Sequence, residues 1–340
     1  MQREADVIEE ILRVYGYNNI GYGTKLNASI ANVNKIEDYQ IQNKIAEQLV
    51  GQGFTEMMAN SLTTPNYVDL DEDLTADNNV NIINPLSNDL SVMRQSLLFS
   101  GLEAIAYNIN RKNADLKLFE FGKTYHKEGE DLVEYKHLSL FVTGNQTPEN
   151  WIVPQMKGNF FYLKAIINTI FERLGISKLQ SAPTDLAILQ EGIKYTQGKN
   201  TLVEFGIVNA KVAKKLGVSQ QVLFADFNWS LIIDNLKAKK IKVTDIPKFL
   251  PVRRDFALLL NNSVSYKDIY DLAFKQERKL LKEVNLFDVY EGDKLPEGKK
   301  SYAVSFTLLD DNKTLADKQI DKIMKKLQQS FEKELGAELR

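Results

Sequence analysis

The sequence contains no cysteine and only two histidines, His126 and His137. The missing cysteines exclude a disulfide framework, a thiolate metal site and a cysteine nucleophile, and their absence fits a reducing cytoplasm. Two histidines are too few for a three-histidine zinc site or for an HExxH motif. A Ser-His-Asp triad would have to use one of them. His137 begins an alternating apolar run that predicts a strand edge, so we expect both histidines to pack rather than to catalyse.

Long apolar runs and a strong net charge are missing as well. The longest wholly apolar run, Phe256–Leu260, is far shorter than the about 20 residues that a membrane-spanning helix needs. The net charge is −2, so no global charge draws the chain to nucleic acid or to an anionic membrane. The 18 glycines and 8 prolines are too few for a fibrous or disordered chain. With 340 residues, we expect a globular protein of two or three domains.

The first two thirds of the chain show helical and strand patterns in a mixed order. Apolar stripes predict helices over residues 2–15, after Asn34, from Leu98 and over 161–174. Alternating or short apolar runs predict strands at 80–84, 116–121, 137–143, 202–208 and 222–229. Because regular βαβ alternation is missing, this order favours an α+β fold around a largely antiparallel sheet.

The last third of the chain follows a clearer pattern. A lysine-rich segment that brackets Pro247 and Pro251 marks an exposed linker. Beyond it, the order βαββαβ in about 90 residues is that of a ferredoxin-like domain. The loop at 292–301 has some likeness to a phosphate-binding loop. It fails that pattern because five residues separate its glycines and because it joins two strands instead of opening a helix.

Four cations in this last third are candidates for contact with RNA. Arg253 and Arg254 precede its first strand, and Lys299 and Lys300 precede its third. These strands are central neighbours in a βαββαβ sheet, so we expect the four cations to lie at one end of it. Cations beside exposed aromatic rings suit single-stranded RNA. The aromatic candidates are Phe249, Phe287, Tyr290 and Tyr302. The alternative is that the rings pack in the core and that the lysines are solvated. The 18 Lys and Arg against 16 Asp and Glu in residues 247–340 are too small an excess to decide between RNA binding and this alternative.

Three carboxylates near the N-terminus are candidates for a metal site. Asp6, Glu9 and Glu10 lie at i, i+3 and i+4 on one face of the first predicted helix. Three carboxylates on one face repel one another, and a magnesium ion would relieve that repulsion. Acidic residues are also favoured at a helix N-terminus, so the alternative is a solvated acidic face.

Five stretches of the sequence are similar to one protein family. They are READVIEEILRVYGYNN (3–19), NPLSNDLSVMRQSLL (84–98), LFEFGKTY (118–125), FLPVRRDFALLL (249–260) and LFDVYEGDKLPEGKKSYAVSFTLLDD (286–311). All five occur in the order in which the beta subunit of bacterial phenylalanyl-tRNA synthetase has them. The chain resembles that family over essentially its whole length.

The resemblance implies three segments. Residues 1–19 would be a remnant helix of a preceding domain, 20–246 a catalytic-like but inactive class II synthetase core with an antiparallel sheet, and 247–340 a ferredoxin-fold anticodon-binding domain. In this family the alpha subunit uses ATP to make phenylalanyl-adenylate and charges tRNA(Phe), and the beta core packs against it in a cytoplasmic (αβ)2 heterotetramer. The resemblance therefore implies a ligase component that is inactive alone, and it assigns tRNA binding to the last segment.

The predicted core agrees with a loss of catalysis. Adenylate formation needs fixed cations for the charge that develops on the α-phosphate. The strand Phe119–Gly122, where a working class II enzyme carries an arginine, has none, and no Gly-x-Gly-x-x-x-Arg occurs. Arg94 is the one candidate left in the core signature, and we interpret it as structural or interfacial.

The resemblance also bears on the carboxylates. The family places magnesium ligands on the helix before the core: an aspartate, a second one six residues on, and then two adjacent glutamates. Asp6, Glu9 and Glu10 match the last three, and the first would fall just before Met1. We therefore expect an incomplete, weak Mg²⁺ site in a fragment that begins inside a domain and lacks the editing domain. The alternative function is a free-standing protein-interaction module whose ferredoxin-like domain has no RNA role.

Overall fold

The computed structural model describes residues 3–25, 37–177, 179–238, 243, 245–292 and 294–339. The chain divides into two compact units, unit 1 (Met1–Lys240) and unit 2 (Ile241–Arg340). The division falls within the lysine-rich segment, a few residues before the boundary predicted at 246/247. None of the described helices is both long and apolar enough to cross a membrane.

Helices are distributed over both units. In the described residues the α-helices are α1 (Glu4–Tyr15), α2 (Asp38–Gly51), α3 (Leu98–Ile109), α4 (Phe160–Arg173), α5 (Ala210–Lys215), α6 (Trp229–Ala238), α7 (Tyr266–Gln276) and α8 (Asp317–Leu335). Gly336 after α8 takes the left-handed conformation that commonly ends a helix, and Gly16 after α1 also has a positive φ angle.

Strands form one large sheet in unit 1, one small sheet in unit 2 and a short two-stranded ladder. They are β1 (Thr55–Glu56), β2 (Leu62–Thr63), β3 (Val92–Met93), β4 (Leu116–Glu128), β5 (Asp131–Thr143), β6 (Gln180–Pro183), β7 (Leu189–Gln197), β8 (Asn200–Val208), β9 (Val222–Asn228), β10 (Val252–Asn261), β11 (Leu281–Tyr290), β12 (Lys299–Leu308) and β13 (Glu338–Leu339). The large sheet has the order β1-β4-β5-β9-β8-β7-β6, and the small one β11-β12-β10-β13.

The large sheet of unit 1 is antiparallel except where β1 pairs parallel with β4. Side chains from α2, α4 and α6 pack on one of its faces, against Phe119, Leu140 and Phe227. Side chains from α3 and α5 pack on part of the other face, against Leu118 and Phe224. Successive side chains of a strand point to opposite faces of the sheet, which explains why neighbouring residues of one strand belong to two different cores. The predicted α+β class with a largely antiparallel sheet is confirmed.

Unit 2 has the predicted order β10-α7-β11-β12-α8-β13, and its sheet is antiparallel throughout. Helix α7 begins at a capping box in which the Ser265 hydroxyl accepts from the Asp268 amide and the Asp268 carboxylate accepts from the Ser265 amide. Apolar side chains of α7 and α8 meet one face of the sheet, where Leu258, Val304 and Phe306 are buried. The ferredoxin-like prediction is confirmed.

Some elements differ from the sequence-based expectations. The strand predicted at 80–84 is reduced to a single bridge between Asn81 and Val92, and Asn84 takes a left-handed backbone conformation directly before Pro85. Strands β6 and β7 were not predicted. Asn34, after which the second helix was predicted to begin, lies outside the described residues.

Candidate nucleic-acid interface

The four predicted cations lie in two pairs at opposite ends of the small sheet. In the antiparallel register Arg253 is opposite Thr307, near the end of β12, whereas Lys299 and Lys300 are opposite the last two residues of β10. Six or seven residues of extended strand, roughly 20 Å at about 3.3 Å per residue, separate the pairs. The prediction that all four cluster at one end was wrong, because the starts of two antiparallel strands lie at opposite ends of their ladder.

Both lysines have partners within unit 2. Lys300 is buried, its Nζ donates to the backbone oxygen of Asn262 at 2.9 Å, and it lies 4.8 Å from the centre of the Tyr302 ring. The ammonium group of Lys299 forms an ion pair with the Glu338 carboxylate on β13. These contacts leave neither lysine a free, exposed charge for a phosphate.

Arg253 is better placed for an external ligand. Its side chain is 56% exposed, and its Nε donates to Asp255 Oδ1 at 2.9 Å. The guanidinium lies 5.0 Å from the centre of the Phe287 ring, a cation–π contact. Phe287 is itself 49% exposed, so the cation and the ring form a joint surface that a ligand can reach.

Arg254 points to the other side of the strand because successive side chains alternate. Its guanidinium lies 3.8 Å from the carboxylate of Asp317, in the first turn of α8. Nη1 donates to the backbone oxygen of Arg253 at 3.1 Å. At 43% exposure, Arg254 can add charge at this end of the sheet but does not share the surface of Phe287.

The side of the small sheet that faces away from the α7–α8 core is here called the open face. Its central positions hold small residues, Ala257 on β10 and Ala303 and Ser305 on β12, so a flat ligand could approach the backbone closely. The aromatic rings predicted near the cations divide between the two sides. Phe287 and Tyr290 are exposed, whereas Tyr302 is part of the core. The open face thus combines one arginine with two accessible rings, the combination that single-stranded RNA favours.

Arg94, directly after β3, forms a buried ion pair with Glu120 on β4. Nη1 lies 2.8 Å from Glu120 Oε1, with both side chains at most 5% exposed, and Nε donates to the backbone oxygen of Lys123 at 3.0 Å. A Cβ at Gly122 would lie 2.5 Å from Arg94 Nη2, so glycine is required beneath the guanidinium. Burial raises the pKa of Glu120, although Arg94 opposes this shift. Arg94 therefore stabilises the fold through these contacts and is not free to bind a triphosphate.

Sequence reasoning missed the partner of His137. This residue lies in the middle of the interior strand β5, not at the end of a strand, and its Nδ1 is 2.9 Å from Asp226 Oδ2 on the neighbouring strand β9. Ser139 Oγ donates to the same carboxylate at 2.9 Å. Asp226 is 87–89 residues away in sequence, and no local pattern signals the pairing.

The three N-terminal carboxylates lie on α1, in which no residue is buried. Glu10 accepts from Arg13 Nη1 at 3.3 Å, which neutralises part of the acidic face. Within the described ranges, no group of three or more acidic or histidine side chains is placed to hold a metal ion. The Mg²⁺ site at Asp6, Glu9 and Glu10 therefore stays a prediction.

Comparisons with known proteins agree with this geometry. The profile described as "Phenylalanyl tRNA synthetase beta chain CLM domain" matches residues 24–229, and the profile "Ferredoxin-fold anticodon binding domain" matches residues 247–340. The "Phenylalanine--tRNA ligase beta subunit" of Bacteroides fragilis is 45% identical over all of this chain and 43% of its own length. The protein of the same name from Porphyromonas gingivalis is 40% identical over 99% of this chain and 43% of its own.

A solved pyrrolysyl-tRNA synthetase from Desulfitobacterium hafniense covers 68% of this chain and 75% of its own, with 15% identity and a TM-score of 0.48, a similarity too low to support an argument. The chain spans less than half the length of the curated relatives that it matches. The two profiles together cover most of the sequence, in the order of the two folds described above. The chain belongs to the phenylalanyl-tRNA synthetase beta chain family.

Proposed function

We propose that this chain is the non-catalytic part of a phenylalanine–tRNA ligase beta subunit. In this proposal unit 1 packs on an alpha subunit, and unit 2 binds tRNA(Phe) near its anticodon. The observation that carries the proposal is the match of unit 2 to an anticodon-binding domain, together with an open face that presents Arg253 and Phe287 to solvent. The chain would thereby support the ATP-dependent charging of tRNA with phenylalanine.

The contacts of Arg94 support the absence of catalysis in unit 1. A site that forms an adenylate must present cations to a developing negative charge. Arg94, the remaining candidate, is buried against Glu120, and β4 supplies no arginine at Phe119–Gly122. We therefore assign ATP chemistry, and the Mg²⁺ that accompanies ATP, to the partner subunit.

The proposed tRNA contacts differ in weight. Arg253 is the primary candidate because it is exposed beside an exposed ring, and Arg254 contributes charge at the same end. Lys299 and Lys300 carry no phosphate contact in this proposal because each has a partner within unit 2. A phosphate contact by Arg253 with a base stacked on Phe287 is the arrangement that best fits these exposures.

The assembly implied by this role has an (αβ)2 stoichiometry and belongs in the cytoplasm. Residues 20–246 would form the inactive synthetase-like core, residues 247–340 the anticodon-binding domain, and residues 1–19 the end of a preceding domain. The size and order of the two matched profiles support this division.

The test is co-expression with the alpha subunit of the same enzyme, followed by size-exclusion chromatography and tRNA(Phe) binding. We expect a stable complex, saturable tRNA binding and no phenylalanine-dependent pyrophosphate exchange by this chain alone. A chain that binds neither the alpha subunit nor tRNA would reject the proposal and favour the protein-interaction module. Pyrophosphate exchange by the isolated chain, abolished by Arg94→Ala, would reject the non-catalytic assignment.

A further inference from the structure

A continuous row of hydrogen bonds crosses three strands of the unit 1 sheet. It begins at Asp226 on β9, whose Oδ2 lies 2.9 Å from His137 Nδ1 on β5. His137 Nε2 lies 3.0 Å from Thr124 Oγ1 on β4, and the same hydroxyl lies 3.0 Å from His126 Nε2. One threonine hydroxyl therefore links the only two histidines of the chain.

The middle of this row is shielded from water, and its β9 end is not. Thr124 is 2% exposed, and the side chain of His137 is 14% exposed, whereas that of Asp226 is 32% exposed. Ser139, completely buried, donates to Asp226 Oδ1. Protons can thus exchange with solvent at the carboxylate end, while the threonine hydroxyl has only its two imidazole neighbours as partners in this row.

The single hydrogen of a hydroxyl gives the row a direction. When His137 is neutral, its Nδ1–H donates to Asp226 and its bare Nε2 must accept from Thr124, which leaves the hydroxyl oxygen to accept from His126 Nε2–H. When His137 is protonated, Nε2 becomes a donor to the hydroxyl. Thr124 then donates to His126 Nε2, which must be bare, so the proton of neutral His126 lies on Nδ1.

We propose that Thr124 couples the protonation of His137 to the tautomer of His126, so that the row reverses its hydrogen-bond direction when His137 takes up a proton. His126 stays neutral in both states. One proton enters from solvent and resides on His137, while the proton of His126 moves between its two nitrogens. The reversal couples the protonation of His137 to a change of tautomer in the β4–β5 hairpin, where the His126 ring lies 5.6 Å from that of Tyr135.

A competing arrangement leaves a buried donor unpaired. The Thr124 oxygen could accept from both imidazoles while His126 keeps its proton on Nε2. The hydroxyl hydrogen of a residue that is 2% exposed would then have no acceptor in the row, which is unfavourable for a buried group. The reversal pairs the Thr124 hydroxyl and the Nε2 atoms of both histidines in both states.

The charged groups around His137 set the pH at which the reversal occurs. Burial lowers the pKa of His137, but the carboxylate of Asp226 outweighs burial and raises the pKa above its ordinary value, against an opposing effect of Arg94. Glu120 neutralises Arg94, and Glu204 lies opposite Asp226 on β8.

The surroundings of His126 act in the other direction. Burial and His137 lower the pKa of His126, and Glu128 opposes them. His137 therefore takes up its proton at a higher pH than His126, which is the order that the reversal requires.

The experiment is a pH titration of the complete 340-residue chain, carrying no histidine tag, by long-range ¹H–¹⁵N imidazole spectroscopy. Two histidines give two spin systems, and His126→Gln assigns them. We expect His126 to change from the Nε2–H to the Nδ1–H tautomer with the same midpoint as the protonation of His137. A His126 tautomer that does not change through that midpoint, or that changes with a separate midpoint, overturns the proposal.

Matched variants of the linking hydroxyl separate coupling from mere proximity. Thr124→Ser keeps a hydroxyl and should retain the common midpoint, whereas Thr124→Val should leave the His126 tautomer independent of His137. If the valine variant does not fold, Asp226→Asn decides. It should lower the His137 midpoint, and the tautomer change of His126 must move with it. A His126 transition that stays in place in Asp226→Asn contradicts the coupling.

Discussion

The guanidinium of Arg253 lies 5.0 Å from the centre of the Phe287 ring, across the central strand of the ferredoxin-like sheet. Arg253 belongs to β10 and Phe287 to the edge strand β11, at a register irregularity between Leu286 and Asp288. A bulge of this kind redirects a side chain. The irregularity accompanies the contact that joins exposed Arg253 to the exposed ring of Phe287 at this end of the sheet.

Replacing Arg253 with alanine should weaken tRNA binding and reduce its salt dependence. Each phosphate contact contributes about 0.9 to the slope of log K against log salt for a duplex and about 0.7 for a single strand, so we expect a loss of that size. Filter binding over a salt series measures it. Arg278→Ala, which removes an exposed arginine after α7, is the matched control and should leave the slope unchanged. Equal slopes for Arg253→Ala and the unaltered chain would remove Arg253 from the interface.

Replacing Phe287 with alanine should weaken tRNA binding without changing the salt slope. Stacking of one base on an aromatic ring is worth about 1–3 kcal/mol and involves no counterion release. Phe287→Tyr keeps the ring and should bind tRNA as the unaltered chain does. If Phe287→Ala lowers the slope as much as Arg253→Ala, the ring acts only by positioning the arginine.

The lysines should behave differently from the arginines. Lys299→Ala removes an ion pair with Glu338 and should leave the salt slope unchanged. Lys300→Ala removes a buried hydrogen bond to Asn262 and should destabilise unit 2 by about 1–3 kcal/mol, which urea unfolding measures. A slope lowered by about one in Lys299→Ala would restore that lysine to the interface.

The positions of the four cations on the small sheet illustrate what the sequence can and cannot predict. The order βαββαβ and the core-facing residues of β10 and β12 could be predicted from the sequence, because local periodicity determines which residues face a core. The positions of Arg253 and Lys299 at opposite ends of the ladder depend on strand direction. That direction follows from the predicted topology, so the clustering error was one of geometry and not of missing information.

Other differences have no local signal. Strand β7 carries Glu191 and Gly192 between its apolar residues, and its pairing with β6 on one side and β8 on the other makes it a strand. The apolar run at 80–84 lacks such a partner beyond the bridge at Asn81. The contact of His137 with Asp226 likewise needs the assembled sheet. Tertiary context decides strand formation more than propensity does.

Breaking the Arg94–Glu120 pair should destabilise unit 1 strongly. Removing one member of a buried ion pair leaves an uncompensated buried charge and costs about 3–5 kcal/mol, so Arg94→Met should lower the free energy of unfolding by that order. The double variant Arg94→Met/Glu120→Leu removes both charges and should recover part of the loss. Urea unfolding of the three proteins gives the comparison. An Arg94→Met variant as stable as the unaltered chain would contradict the structural assignment of Arg94.

Asp38, at the start of α2, stabilises unit 1 against acid. Trp229 Nε1 donates to Asp38 Oδ1 at 2.8 Å, and Lys136 forms an ion pair with the same carboxylate. Burial raises the pKa of Asp38, but the bonds from Lys136 and Trp229 outweigh it and hold the pKa below its ordinary value. A lowered folded-state pKa stabilises the fold above the unfolded pKa of about 3.9, and this stabilisation is lost as the pH falls through the folded value.

Asp38→Asn should therefore be less stable than the unaltered chain at pH 7, and the difference should shrink as the pH falls below about 4. Urea unfolding at several pH values measures this. The exposed Asp131, in the β4–β5 hairpin, provides the control Asp131→Asn, which should change stability little at any pH. A difference for Asp38→Asn that stays constant down to low pH would show that the carboxylate charge contributes nothing, and that the contact with buried Trp229 stabilises the fold through hydrogen bonding alone.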